Sequence, residues 1–545
     1  MKMLPSLPEE ILVLILEEFA LSKYGTSGRR LGGGPRPCLT TLSNACLASK
    51  LLCRLAWPIL YRFFSNRRCL ELAQGLDPAR FLQTVCTKPE HGLALRSLLI
   101  ADWAPIGAMD PTELFESLQG DATLVDLFQW RAKTFWLGED QMSSVQPNDA
   151  DGDLPSMLLR SLEMGLPEAH MAMLLLLSPK LKTLGITTPP HFETSLIARL
   201  LDTAISEDYQ MMTPPDPVHD PEQEESDYAI AQMFGASWPA PALQKANLFR
   251  DLVECSIHGL GTCPSGLKFF GNLISLPSLQ YVRLSGLRGG HDNAMSDFEI
   301  GETSTRLKNL TLNSCQILTS EACAVIQCCP ELVSLQMTWH VGFGSSRDQS
   351  SERDQRLQFG IIADAIAAYT PRLTSLQLST PAWPYRHSSS EYPYTVGRSL
   401  QQLKHLKQLE LDHYMIYGMQ RPDELSLDPY GIQSGAVPCT LGQAIPKAIE
   451  FLFIEPSDFV DTADGDTEPL DEWQDWQIED LLRFLQDKSF ESMCMIMFAR
   501  GFETSKEHIN TETIAKHGWE VIMGLEKDET YWKLYNKGRE RATGT

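Results

Sequence analysis

"LKNLTLNSCQILTSEACAVIQCCPE", residues 307–331, decides how the chain is read. Leu307, Leu310 and Leu312 follow the rule apolar-x-x-apolar-x-apolar, a short strand with Leu310 and Leu312 on one face. Cys315 comes where the chain turns out of the strand. Thr319 or Ser320 can cap a helix carrying Ala322, Val325 and Ile326, and Pro330 opens the next strand. One strand and one helix per 25 residues cannot bury both faces alone. Such units must stack into a solenoid.

The strand pattern recurs from about residue 90 onward, often introduced by proline. It reads "LRSLLI" (95–100), "PKLKTLGI" (179–186), "PSLQYVRL" (277–284), "RLKNLTL" (306–312) and "PELVSLQM" (330–337). It continues as "PRLTSLQL" (371–378), "HLKQLEL" (405–411) and "AIEFLFI" (448–454), with "FESMCMI" (490–496) a weaker ninth and "AKTFWL" (132–137) a tenth. Spacing is uneven: 25 residues from Leu307 to Leu332, 41 to Leu373 and 33 to Leu406. Polar insertions fill the longer gaps. Residues 202–227 hold nine Asp or Glu and no Lys or Arg. Residues 458–480 hold ten, again with no basic residue. Inserts at 202–227 and 458–475 are expected to be mobile.

Composition excludes several classes. A net charge of −24 over 545 residues argues against general nucleic-acid binding, which needs Lys and Arg in excess. Residues 1–70 carry ten Lys or Arg against four Asp or Glu, so they are +6 and the remainder of the −24 is −30. A basic head on an acidic body points to different partners for the two parts. The acidic body suits a basic partner, and a solvated surface equally well. No apolar run approaches the roughly 18 to 20 residues of a membrane span. Thirteen cysteines without a signal-peptide pattern fit reduced thiols, and a cytoplasmic or nuclear location is expected.

The head spans residues 4–68 and differs in pattern. In "LPEEILVLILEEF", residues 7–19, Pro8 suits a first helical position and Glu9 and Glu10 complement the helix dipole. Leu7, Ile11, Leu14, Ile15 and Phe19 recur at helical spacing, and Leu12, Val13 and Leu16 fill other faces. A helix apolar nearly all round must be buried on several sides, which about 65 residues can hardly achieve alone. After the glycine-rich loop 26–37 a second apolar stripe runs through Leu42, Cys46, Leu47 and Leu51, then Leu52, Leu55 and Ala56. Pro58 is expected to end that helix.

These two blocks together resemble an F-box. "LPEEILVLILEEF" looks like the family's opening Leu-Pro-x-Glu-Ile/Leu helix, and "LSNACLASKLLCRLAWPILYRF" is similar to its second half in many fungal members. The loop at 22–38 is longer and more glycine-rich than the family's usual connection. The clean repeat resembles the cysteine-containing leucine-rich repeat, with Cys315 and Cys329 near its cysteine positions. The resemblance implies a small helical F-box followed by an irregular leucine-rich-repeat solenoid with polar insertions, the repeats covering 90–525. It implies a non-enzymatic substrate receptor, without cofactor, in an SCF-type ubiquitin ligase. Its partners would be a Skp-type adaptor, a cullin and an unidentified protein substrate. The adaptor-binding positions carried over are Leu7, Pro8, Ile11, Leu14 and Ile15, then Leu42, Leu47, Leu51, Leu55, Leu60 and Tyr61. The alternative is a repeat scaffold whose head binds the adaptor without ligase activity, or serves only as a cap.

Other motifs carry less. "GRRLGGGPRP" lacks the Lys-Ser/Thr ending of a phosphate loop. "NDADGD" (148–153) and "DTADGD" (461–466) lack an acidic first ligand when counted back from their glycines as EF-hand loops. Cys315, Cys323, Cys328 and Cys329 lack zinc spacing and read as core filler. Ile478, Leu481, Leu482 and Leu485 form the apolar face of a helix that starts at Trp473 and Trp476, tryptophans that either pack there or dock a basic substrate.

Overall fold

The computed structural model describes residues 7–19, 39–65, 78–100, 122–137, 154–164, 166–188, 196–205, 249–260, 266–289, 306–340, 357–380, 395–417, 439–455, 475–499, 511–526 and 529–536. The glycine-rich loop, both calcium-like turns, Trp473 and nearly all of the two acidic inserts lie outside them. The chain is mixed α/β and divides into two units, residues 1–263 with 269–279, and 264–268 with 280–545.

The first unit opens with helices α1 (Glu9–Glu17), α2 (Leu39–Ala48) and α3 (Lys50–Leu60). Strand β1 (Phe63–Ser65) follows at once, then α4 (Pro78–Thr87), α5 (Pro89–Ala94) and β2 (Ser97–Ile100). Helices α6 (Ala122–Leu137), α7 (Leu154–Glu163) and α8 (Pro167–Leu176) precede β3 (Thr183–Thr187); α9 (Leu196–Ile205) precedes β4 (Glu254–His258). These four strands are parallel, and Phe64, Leu98, Leu184 and Cys255 stand in register as one fully buried row.

Helix α10 (Gly266–Ile274) spans the division, and the second unit continues from β5 (Tyr281–Ser285) and β6 (Asn309–Cys315). Helix α11 (Thr319–Gln327), β7 (Ser334–Trp339), α12 (Phe359–Tyr369) and β8 (Ser375–Ser379) follow. Then come β9 (Gln408–Asp412), α13 (His413–Tyr417), α14 (Leu441–Ala444) and β10 (Phe451–Glu455). The unit ends with α15 (Asp475–Gln486), β11 (Met495–Ala499), α16 (Thr511–Lys516), β12 (Trp519–Glu526) and β13 (Glu529–Asn536). Strands β5 to β11 are parallel in sequence order, and the antiparallel hairpin β12–β13 closes the sheet.

The apolar-x-x-apolar-x-apolar rule explains this core. Val282, Leu310, Leu335, Leu376, Leu409, Leu452, Ile496 and Leu534 are cross-strand neighbours, all buried. The residue that opens each pattern, such as Leu307, Leu332, Leu373 and Leu406, is buried too. Strand starts share one hydrogen-bond device, in which two successive N–H groups donate to one carbonyl of the preceding strand. Val333 and Ser334 both donate to Lys308, at 2.8 and 3.0 Å, and Lys407 and Gln408 to Thr374, at 2.8 and 3.0 Å. Arg96 and Ser97 do the same to Arg62 in the first unit, at 2.8 and 3.0 Å. This device holds register where the spacing in sequence varies.

Polar side chains tie successive helices, and one pair of strands, together. The Thr319 hydroxyl accepts the Gln358 N–H at 2.9 Å, and Glu168 accepts that of Ile197 at 3.1 Å. Buried Asp412 accepts the Thr380 N–H at 2.6 Å. Asp480, also buried, accepts the Leu441 N–H at 2.7 Å. Thr319 is therefore not the cap expected for α11. Leu318 occupies that position, and Glu321 reaches back to its N–H at 2.7 Å. Gly289 lies so close to the Glu321 carboxylate that a Cβ there would overlap it.

Other expectations are corrected. "AKTFWL" is the last part of α6, not a strand. Residues 202–205 finish α9, so that insert starts later than expected. Among the described residues the strands run from Phe63 to Asn536.

Candidate functional site: the N-terminal helical head

Two stripes run along α1. Leu12 and Leu16 are buried, while Leu7, Ile11, Leu14 and Ile15 face water at 39%, 42%, 58% and 42% exposure. At about 100° per residue the stripes lie roughly a third of a turn apart. Leu16 packs with Leu42, Ala56 and Ile59, and Val13, Phe19, Ala45, Cys46, Leu55 and Leu60 border this small core. Pro8 is extended and stands just before the helix, its carbonyl accepting the Ile11 and Leu12 N–H groups.

The second block is two helices rather than one. Ser49 is extended and accepts the Leu52 N–H at 3.1 Å, a serine cap that starts α3. Pro58 does not end α3, which runs on to Leu60. Pro58 forgoes the bond to the carbonyl of Arg54 and its ring crowds that carbonyl, yet the helix continues for two more residues. Glu9 pairs with Arg54, and Glu17 with Arg62 at 3.1 Å. The same eight-residue step separates the partners along both segments, so α1 and α3 run in the same direction.

Of the expected adaptor contacts, Leu7, Pro8, Ile11, Leu14, Ile15 and Leu47 are exposed, Leu47 at 84%. Leu51, Leu55, Leu60 and Tyr61 are half-buried. Leu42 is a correction: it is fully buried in the head's own core and offers no surface. Five of the eleven exposed large hydrophobics among the described residues lie in this head.

Tyr61 has a further role that sequence reading missed. Its ring stacks on His91 at 3.9 Å between centroids, and Trp57 meets His91 edge-on at 5.0 Å. Phe81 joins the group against Phe64 at 4.4 Å. Burial holds the His91 imidazole below the usual histidine range and raises the Tyr61 hydroxyl. The head is thus built onto α4, α5 and β1. The aromatic run in "AWPILYRFF" was the only signal available in the sequence.

Perturbed groups elsewhere are inward-facing. Burial pushes His413 down to about 4 and raises the Asp480 carboxyl and the Tyr417 hydroxyl. Tyr417, Gln477 and Asp480 are all buried, holding α13, α14 and α15 together. Cys315, Cys328 and Cys329 are buried as well, and burial raises the Cys315 and Cys328 thiols. Among the described residues no His, Cys, Asp or Glu cluster could hold a metal. None of the described helices is long and apolar enough to cross a membrane. Compared with models of known protein families and with curated proteins, the chain matches none.

Proposed function

We propose that this chain is the substrate-recognition subunit of an SCF-type ubiquitin ligase. The head binds the Skp-type adaptor, the strand ladder is a leucine-rich-repeat solenoid holding a protein substrate, and the ubiquitin chemistry belongs to other subunits. One observation carries the reading: Leu7, Ile11, Leu14, Ile15 and Leu47 stand in water on a head whose described core is small, Leu16 packing with Leu42, Ala56 and Ile59 while Leu12 is also buried. Burying such side chains stabilises a complex by roughly 1.5 to 3 kcal/mol each, far more than the exposed charges of the basic head contribute.

A substrate surface is supported by the outward row of the second unit's ladder. Thr311, Gln336, Gln377 and Glu410 stand side by side, followed in register by Phe453 and Met497, all half-buried. The row passes from hydrogen-bonding to apolar chemistry across neighbouring strands. The competing reading, a head that serves only as a cap, is favoured by the Tyr61–His91 stack. A pull-down with adaptor and cullin separates the two. Wild type is expected to recover both partners, and Ile11→Asp with Leu14→Asp neither. Failure of folded wild type to recover the adaptor makes the head a cap.

A further inference from the structure

Helices α2 and α3 meet at a corner of one residue, because extended Ser49 alone stands between Ala48 and Lys50. On α2, Cys46 follows Leu42 by four residues and shares its face. On α3, Cys53 precedes Ala56 by three residues and shares its face in turn. Leu42 and Ala56 belong to one buried cluster, the head's core, and Cys46 packs against it. The two cysteines thus extend the facing sides of both helices toward the corner. Their thiols are in hydrogen-bond contact with each other.

The remaining cysteines among the described residues are placed differently. Cys86, Cys255 and Cys315 are fully buried, out of reach of a reagent in water. Cys323 and Cys494 are half-buried, and each donates to a carbonyl: Cys323 to that of Ile361 at 3.8 Å, Cys494 to that of Ser492 at 3.4 Å. Cys46 and Cys53 are both half-buried, and each has a second thiol against it. Access to water and a partner sulfur are the two conditions for exchange with a dissolved disulfide.

We infer that Cys46 and Cys53 are a modification site, a dithiol that exchanges with a small disulfide of the glutathione kind and closes reversibly across the α2–α3 corner. One cysteine thiolate attacks a sulfur of the small disulfide, breaking its S–S bond and releasing one glutathione thiolate. The other cysteine then attacks the protein-side sulfur of the mixed disulfide, forms the Cys46–Cys53 bond and releases the second glutathione. The cysteines are oxidised, the small disulfide is reduced to two thiols, and those thiols take the two protons. Burial, and then Cys53 beside it, hold the Cys46 thiol above its usual range, so closure is slow near neutral pH and quickens as pH rises. The bond locks the corner at Ser49, and with it the setting of exposed Leu47 against α3. The inference stands without the adaptor reading of the head.

The test holds the folded full chain in mixtures of reduced and oxidised glutathione, quenches in acid, blocks the remaining thiols with N-ethylmaleimide and maps the peptides by mass. With the oxidised form in excess, a peptide pair joined through Cys46 and Cys53 is expected, and dithiothreitol is expected to abolish it. Cys86, Cys255 and Cys315 are expected to stay thiols. Cys53→Ser is expected to lose the link and leave Cys46 carrying glutathione. Amide hydrogen exchange across 46–53 is expected to slow in the linked chain. Two unlinked thiols under excess oxidant, or glutathione held separately on each cysteine, overturns the inference and leaves the pair as core filler. A link from either cysteine to another cysteine or to a second chain overturns it too, and unchanged amide exchange in the linked chain overturns the lock.

Discussion

The head and the second unit's strand ladder spend their apolar residues in opposite ways. In the ladder the inward leucines of neighbouring strands bury one another, so each strand completes the next. In the head one stripe of α1 makes a small core and the other is left in water. Both regions are leucine-rich, so composition does not distinguish them. One region has finished its burial within the chain; the other leaves apolar side chains in water, and the proposed adaptor would cover them.

The sharpest way to break the comparison is to cut into both regions. Leu376→Ala leaves a cavity in a fully buried row and is expected to cost about 2–5 kcal/mol, seen as a drop in denaturant midpoint. Ile11→Asp, at an exposed position, is expected to leave that midpoint almost unchanged. If both fall equally, the patch is core and the contrast fails.

A second prediction concerns pH. His413 titrates at about 4 in the folded chain against an ordinary 6.5, so the unfolded chain binds the extra proton first as pH falls. Its contribution is complete above 6.5 and is lost on acidification toward 4, on the order of 3 kcal/mol in total. His91, lowered by burial, acts in the same direction in the head. Asp480, raised by burial, acts oppositely, favouring the fold at low pH and losing that contribution as pH rises through its raised value. His413→Gln should flatten melting curves recorded between pH 6.5 and 4; an unchanged slope places the acid sensitivity elsewhere.

The smallest effect is expected at the surface. Glu9→Ala removes a pair whose side chains are both more than half exposed, and should cost less than about 1 kcal/mol. A double-mutant cycle with Arg54→Ala measures it, and a larger coupling would mean that α1 is held by charge rather than by Leu12 and Leu16.

Most of the ladder was legible, because each strand needs one opening apolar residue and two inward ones, and leucine supplies them openly. Strand β4 escaped because Cys255 stands where β2, β3 and β5 to β11 carry a branched aliphatic residue. Strands β12 and β13 escaped because an antiparallel pair obeys a different rule from parallel repeats. "AKTFWL" alternates like a strand, yet it ends a 16-residue helix that buries Leu127, Phe128 and Trp130. In the head, Ser49 was hidden inside a stripe that reads straight through it. Periodicity marked the apolar residues of α1 but not which of them the chain covers, since Leu42 and Leu47 look alike until neighbours are placed.

The short passage from α3 to β1 fixes a bearing. Only Tyr61 and Arg62 separate the last helical residue from the first strand, and the carbonyl of Arg62 already accepts the bonds that start β2. With Tyr61 also clamped on His91, the head has no swivel. It behaves as a bracket bolted to the first strands, not as a bead on a tether. Anything gripped by Leu14 and Leu47 is therefore carried at a set angle to those strands, and a single residue inserted after Arg62 would turn that angle or break the ladder's first rung.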